Sequence, residues 1–305
     1  MNHNLHETLT AQFSTYHILD QLHAVPPHEV YEIVVEGQHA VYKCSTGPTG
    51  KAEIEGHITA LIGEQTSIPV PKILSIGDEH YIAAWHPDAP APDNGQAVDE
   101  DWSYTAGRLL ATLHNETASL FENYGRFAPT EDGISVVGNT EWQTTAIEYI
   151  EQHRPILAKY GHGDIADTVI NLLTDRPGAF DGAGEAVCCH GWATPDHVAV
   201  DDGEAVCVLD FEHTIAAPGE FDYWRTVLPT FRNEPTAQEA FHAGYTKCRP
   251  VAEGFEQRAP FYVLLNEIYY FESLYVQNQY GTQEMDRRGQ RLRERVCERI
   301  EELSY

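Results

Sequence analysis

Positive charge is what this chain has least of. Its 305 residues include 19 Lys and Arg against 47 Asp and Glu, a formal charge of -28, and the lysines are only Lys43, Lys51, Lys72, Lys159 and Lys247. Binding nucleic acid by counterion release needs basic patches, so no nucleic-acid partner is expected. No run approaches the ~20 apolar residues of a membrane-spanning helix, so no membrane partner is expected either. The first residues, MNHNLHETLTAQF, have neither a charged leader nor an apolar stretch, and the expected location is the cytoplasm. The six cysteines, Cys44, Cys188, Cys189, Cys207, Cys248 and Cys297, show no CxxC spacing, which argues against a zinc knuckle or redox pair. Internal repeats and low-complexity segments are absent.

The acids are spread along the chain, as in a carboxylate-coated globule that concentrated salt makes tolerable. A halophilic, haloarchaeal source is the expectation. Beneath that coat, 42% hydrophobic residues with 16 Tyr, 11 Phe and 5 Trp suffice for a sizeable core, in one large domain or two lobes.

Periodicity divides the chain unevenly. An amphipathic helix is expected around residues 7–21, then strands over 29–35 and 39–44 flanking Glu36-Gly37-Gln38 as a hairpin. Ile54, Ile58, Leu61 and Ile62 set a helical period within 51–63, and strands over 72–76 and 80–85 follow. Pro87, Pro90 and Pro92 then interrupt every period. The expected units are therefore an N-lobe over 1–86, a linker over 87–98 and a helical C-lobe over 99–305. Within the latter, helices are expected at 99–115, 140–158 and 163–175, a strand pair around a loop at 186–212, and four further helical stretches. Residues 262–277, apolar on more than one face, read as a central buried helix. The fold class is α+β, a bilobal protein-kinase-like arrangement with a small antiparallel-sheet N-lobe.

The segment VCCHGWATPDHVAVDDGEAVCVLDFE, residues 187–212, carries the chemistry. It resembles the catalytic segment of the aminoglycoside phosphotransferase and choline kinase family of small-molecule kinases, whose pattern is His-Gly-Asp, four residues, Asn, a strand, then Asp. The chain has His190-Gly191-Trp192, then His197, then Asp210. Further parallels occur in the family's order: AVYKC with Lys43, the acid-bearing helix before Ile68-Pro69-Val70-Pro71, the helix ending Leu113-His114, and the segment from Pro218 to Trp224 with Asp222.

The resemblance implies ATP and Mg²⁺ or Mn²⁺ as cofactors, with a nucleotide and an unknown small molecule as partners. Lys43 would position phosphates, held by Glu55 with Glu53 as runner-up, and Ala84 and His86 would line the nucleotide. Asp210 would hold metal, with Glu212 on the same side. His197 stands at the second metal position, where imidazole shifts preference from Mg²⁺ towards Mn²⁺ or Zn²⁺ or ends binding. Asp196 is the adjacent carboxylate that could replace it if the loop were re-formed. Trp192 stands at the position of the base that accepts the substrate proton, and an indole has one donor, no acceptor and no accessible ionisation. His190 is expected to be structural, and Asp222 to brace the loop.

Two local features depart from the pattern. Residues 24–29, Ala-Val-Pro-Pro-His-Glu, have no glycine where backbone amides would approach phosphates. Gly47-Pro48-Thr49-Gly50-Lys51 has the wrong spacing for a phosphate loop and is expected to be a turn. Three functions remain open: an active phosphotransferase acting on a hydroxyl or amine, a degenerate kinase fold serving as a nucleotide- or ligand-binding module, or a lectin-like or scaffold protein that takes no nucleotide.

Overall fold

Alternation of apolar and polar residues builds one antiparallel sheet in the first part of the chain. The computed structural model of the protein describes residues 3–47, 49–90, 97–131 and 133–303. Helix α1 (His3–Gln12) is followed by β1 (Tyr16–His23), β2 (His28–Val35), β3 (Gln38–Ser45), α2 (Ala52–Gln65), β4 (Ile73–Gly77) and β5 (His80–Ala84), with sheet order β1-β2-β3-β5-β4. The β2–β3 turn places Glu36 and Gly37 at φ 50° and 82°, the positive pair that a tight hairpin requires. Gly50 N donates to Gly47 O at 3.0 Å in the expected turn, whose Pro48 lies outside the described residues.

The expected helix over 7–21 is in fact a helix and a strand. Leu5 and Leu9 of α1 are buried against Ile33, Tyr42 and Ile82 of the sheet. The helical period stops at Ser14-Thr15, and Tyr16 to Ile18, aromatic and β-branched in part, pair with β2 from Tyr16↔Val35 onward. Pairing satisfies backbone groups that β2 would otherwise leave open.

Of the expected linker over 87–98, residues 91–96 lie outside the described set. The rest of the chain is mainly helical. Asp99 caps α3 (Glu100–Thr117) by accepting from Trp102 N at 2.8 Å. A hairpin that the sequence reading missed comes next, β6 (Tyr124–Thr130) and β7 (Gly133–Asn139). Then follow α4 (Trp142–Lys159), α5 (Gly163–Thr174), β8 (Val187–Cys189), β9 (Val198–Asp201), β10 (Glu204–Val208) and a single 3₁₀ turn, Phe211–His213. The chain closes with β11 (Ile215–Ala217), α6 (Gly219–Thr230), α7 (Pro235–Cys248), α8 (Phe255–Gln277) and α9 (Thr282–Leu303). Helix α8 buries Tyr262, Leu264, Leu265, Ile268 and Phe271, as its all-round apolarity led one to expect. No helix among the described residues is long and apolar enough to cross a membrane.

The expected strand pair around the loop needs correction. Strand β8 pairs with β11 in the sheet β7-β6-β11-β8, whereas β10 pairs with β9. Asp202-Gly203, at φ 47° and 75°, turns the chain inside the segment and gives β10 a closer partner than β8.

Helices α3 and α7 cross backbone to backbone. A Cβ on Gly107 would overlap the carbonyl of Phe241, and one on Gly244 the carbonyl of Tyr104. We expect Gly244→Ala to lower unfolding free energy by ~1–3 kcal/mol, the usual effect of overpacking, as measured by denaturant unfolding followed by circular dichroism.

Candidate active site

The site forms where β3, α2 and the segment after β10 converge. The Lys43 ammonium lies 2.7 Å from Glu55 Oε2, 2.6 Å from Asp210 Oδ1 and 3.1 Å from Glu212 Oε2. β3 is covered on both faces: Tyr42 and Cys44 are buried in the cluster with Leu5 and Leu9 of α1, and Lys43, on the opposite face, is buried against Glu55 of α2. Glu55 sits in the first turn of α2 and also accepts from Tyr81 OH at 2.8 Å. Asp210 has φ 68°, an unusual conformation for a side-chain-bearing residue, which turns the chain from β10 into the 3₁₀ turn carrying Glu212.

Histidines close the far side of the acids. His28 Nδ1 lies 2.7 Å from Glu212 Oε2 and His213 Nε2 3.1 Å from Glu212 Oε1. His197 Nε2 lies 3.1 Å from Asp210 Oδ2, and its Nδ1 3.0 Å from the Trp192 carbonyl. Burial pushes the Lys43 ammonium down, but Asp210, Glu55 and Glu212 outweigh it and hold it well above its ordinary value. Burial raises Asp210 and Glu212, yet Lys43 overcomes it and both carboxyls lie below their usual range. Glu55, buried most deeply, goes the other way: desolvation lifts it to about 7 against the pull of Lys43.

The model of the phosphotransferase enzyme family matches residues 28–261. The chain belongs to that family. Solved structures agree at the level of fold. One is a thermostable mutant of aminoglycoside phosphotransferase APH(4)-Ia in ternary complex with ADP and hygromycin B, 13% identical, covering 97% of both chains with a TM-score of 0.67. Another is a fructosamine-3-kinase candidate from Thermobifida fusca, 17% identical, covering 95% of this chain and 98% of that one at TM-score 0.63. A third, a fructosamine-3-kinase candidate from Haemophilus somnus, is 18% identical with a TM-score of 0.65 and 96% coverage of each chain. No curated protein sequence matches.

In this member of the phosphotransferase family, one buried carboxylate organises the loop. Asp222, in the first turn of α6, accepts from His190 N at 2.6 Å, Gly191 N at 2.8 Å and His114 Nε2 at 3.2 Å. His190 in turn ties the loop's two ends together. Its Nδ1 accepts from Trp192 N at 3.1 Å while Nε2 donates to the Leu209 carbonyl at 2.8 Å, which fixes the neutral tautomer. Gly191, at φ 82°, has no room for a Cβ beside the His213 carbonyl. Cys189 joins His114 and Asp222 in a buried trio, but Asp222 is occupied by N–H donors and burial drives the thiol well above its ordinary value.

Trp192 packs against aromatic neighbours, its ring centroid 5.6 Å from Tyr270, 6.3 Å from Tyr269 and 6.0 Å from His213. Beneath it lies Arg225, buried, with its guanidinium 3.8 Å from the Tyr269 ring centroid. Arg225 donates to the Gly191 carbonyl, to Tyr149 OH at 2.9 Å and to Asn266 Oδ1 at 3.3 Å. Asp196 is exposed and enters none of these contacts, because the loop turns at Thr194, whose carbonyl accepts from His197 N and Val198 N at 2.9 Å. Ala84 ends β5, its amide bound to the Lys72 carbonyl, and His86 accepts from Asp88 N at 3.3 Å through Nδ1.

The donor set suits a hard divalent cation. Glu55, Asp210 and Glu212 offer oxygens all within 4.8 Å of one another, and Mg²⁺ takes carboxylate oxygen with water. Asp210 and Glu212 are the two that could hold it, since they are partly accessible whereas Glu55 is buried and also bound by Tyr81. His28, His213 and Arg225 escaped the sequence reading. His213 could have been found from its place beside Glu212, but His28 and Arg225 carry no local signal.

Acid should loosen the loop. Burial pushes His190 down to about 4, so the unfolded chain binds a proton that the folded one refuses between about 6.5 and about 4. Stability is therefore expected to fall by ~3 kcal/mol as pH drops through that window, read from guanidinium unfolding at each pH, with a shallower slope in His190→Asn. Asp222→Ala, which strands two buried amides, is expected to cost ~3 kcal/mol at neutral pH in the same assay.

Proposed function

We propose that the protein binds ATP with a divalent metal in this cleft and transfers the terminal phosphoryl group to a hydroxyl or amine of a small molecule. The observation that carries the reading is the ion-pair cluster joining Lys43 and Glu55 to Asp210 and Glu212. Phosphoryl transfer needs phosphates held, charge neutralised and the acceptor placed, with little covalent help from the protein. In this reading Lys43 turns from the acids to the nucleotide phosphates, Glu55 keeps it oriented, and Ala84 and His86 flank the nucleotide base. Asp210 and Glu212 hold Mg²⁺ or Mn²⁺. The metal, when bound, neutralises charge on the phosphates. His197 holds Asp210 from behind, and His190 and Asp222 keep the loop in register.

The phosphates are not cradled by a glycine-rich loop. Pro26 and Pro27 cannot donate, and His28 is spent on Glu212 and on the Lys51 amide, 3.0 Å away. That leaves charge, from Lys43 and the metal, as the main hold on nucleotide. The neighbouring APH(4)-Ia structure, a complex with ADP and hygromycin B, supports a nucleotide and a small molecule as the partner classes.

A second reading, a degenerate kinase fold that binds nucleotide without transfer, is favoured by Trp192. Its ring fills the base position and is packed against Tyr270 and above Arg225. Loss of a general base typically costs ~10²–10⁴-fold in rate but leaves positioning and charge neutralisation in place.

Calorimetric titration of ATP in molar KCl, with Mg²⁺ and then Mn²⁺, tests both. We expect binding in wild type and at least about tenfold weaker binding in Lys43→Ala and Asp210→Ala. No binding with either metal would overturn both readings. Turnover of ATP that vanishes in Asp210→Ala identifies the enzyme; binding without turnover identifies the module. Trp192→Asp is expected to raise any transfer, measured as ADP release with the variant's ATP affinity unchanged.

A further inference from the structure

The segment that lacks phosphate-facing amides has a cation fastened beside it. Thr46 N donates to the Pro27 carbonyl at 2.7 Å, and Lys51 N donates to His28 Nε2 at 3.0 Å. The other nitrogen of that imidazole lies 2.7 Å from Glu212 Oε2. One ring and two hydrogen bonds therefore separate the Lys51 backbone from a carboxylate of the Lys43 cluster, a gap that a lysine side chain can span. Lys51 is exposed, is one of only five lysines in the chain, and its ammonium makes no ion pair or hydrogen bond among the described residues.

Local structure gives no reason for a cation at this position. Lys51 is the N-cap of α2, where Ser, Thr, Asp or Asn would bond the free amides, and its side chain caps none of them. The helix dipole puts partial positive charge at that end, which favours an anion and disfavours an ammonium. The acids nearest in the cleft are already engaged. Glu212 is taken by Lys43, His28 and His213, and Glu272 by His153 Nδ1 at 2.6 Å. Burial pulls the Lys51 ammonium below its ordinary value against the attraction of Glu212, and Arg225, Glu272 and Arg126 act on it as well. The side chain thus stands in the mouth of the cleft, open to solvent and surrounded by protein. Glu212 marks the metal side of that mouth, and Arg225, beneath Trp192, marks the side where an acceptor would enter.

Resting on the phosphotransferase reading, we propose that Lys51 is a second phosphate-binding cation, which contacts the terminal phosphate of ATP between the metal and the acceptor. It supplies by charge what Pro26 and Pro27 cannot supply by amides. Lys43 is tied to the floor of the cleft by Glu55, so the two lysines reach different phosphates. Lys43 meets the inner ones, present in ADP and ATP alike; Lys51 meets only the terminal one.

Calorimetric titration of ADP and of AMP-PNP, each with Mg²⁺ and again with Mn²⁺ in molar KCl, separates the two roles. In Lys51→Gln, AMP-PNP is expected to bind about tenfold more weakly than in wild type while ADP stays within about twofold. Lys51→Arg keeps the wild-type preference, and Lys43→Ala weakens both nucleotides. The nucleotide-free thermal midpoint of Lys51→Gln matches wild type, because the ammonium it removes has no partner. A Lys51→Gln protein that keeps the wild-type ratio of the two affinities, whether or not both fall, overturns the proposal alone. Failure of wild type to bind either nucleotide overturns the phosphotransferase reading and the proposal with it.

Discussion

The protein turns on the placement of one ammonium among three carboxylates. Charge of one sign gathered in a buried place is tolerable only with a counter-charge at hydrogen-bonding distance, and Lys43 supplies it to Glu55, Asp210 and Glu212 together. The three acids come from α2 and from the segment after β10 while Lys43 is on β3, so the sheet, α2 and that segment must meet at that point. His28, His197 and His213 extend the same logic outward: His197 and His213 face the oxygens that Lys43 leaves open, and His28 shares Glu212 Oε2 with it. The arrangement is a structural tie between the two parts of the chain and, in the proposed function, the set of groups that nucleotide and metal would re-pair.

A second polar centre serves the loop. Asp222 gathers the amides of His190 and Gly191, His190 joins them to Leu209, and Arg225 takes the Gly191 carbonyl from the opposite side. Arg225 is a buried cation without a carboxylate partner among the described residues. Neutral acceptors, Tyr149 and Asn266, and the face of Tyr269 solvate it instead. Fixing the loop by backbone contacts leaves position 192 free to carry an indole: none of the bracing bonds passes through the Trp192 side chain.

Much of this was legible from residue patterns, and the failures have definite causes. The hairpin at Glu36-Gly37 and the buried helix α8 announce themselves by turn residues and all-round apolarity. Strand β1 did not, because Leu9, Phe13 and Tyr16 continue a helical spacing across a break that only pairing with β2 enforces. The β9–β10 turn was signalled by Asp202-Gly203, but the stronger expectation of a single strand pair around the loop obscured it. The β6–β7 hairpin pairs with β11 across some ninety residues of chain, Ile215 facing Arg126, a contact that no local window contains.

The sequence by itself determined the family, the order of the charged motifs and the excess of acid, since these depend on residue identity and spacing alone. It also settled that Trp192 cannot act as a base, which is a property of indole anywhere. Tertiary structure alone decided which acids face Lys43, that Asp196 stays outside while Glu212 enters, and that His28 and Arg225 belong to the site. Periodicity tells a side chain which face of its own element it occupies; it says nothing of what is packed opposite. Lys43 and Asp210 stand 167 residues apart, and the free energy that joins them comes from the burial of everything between.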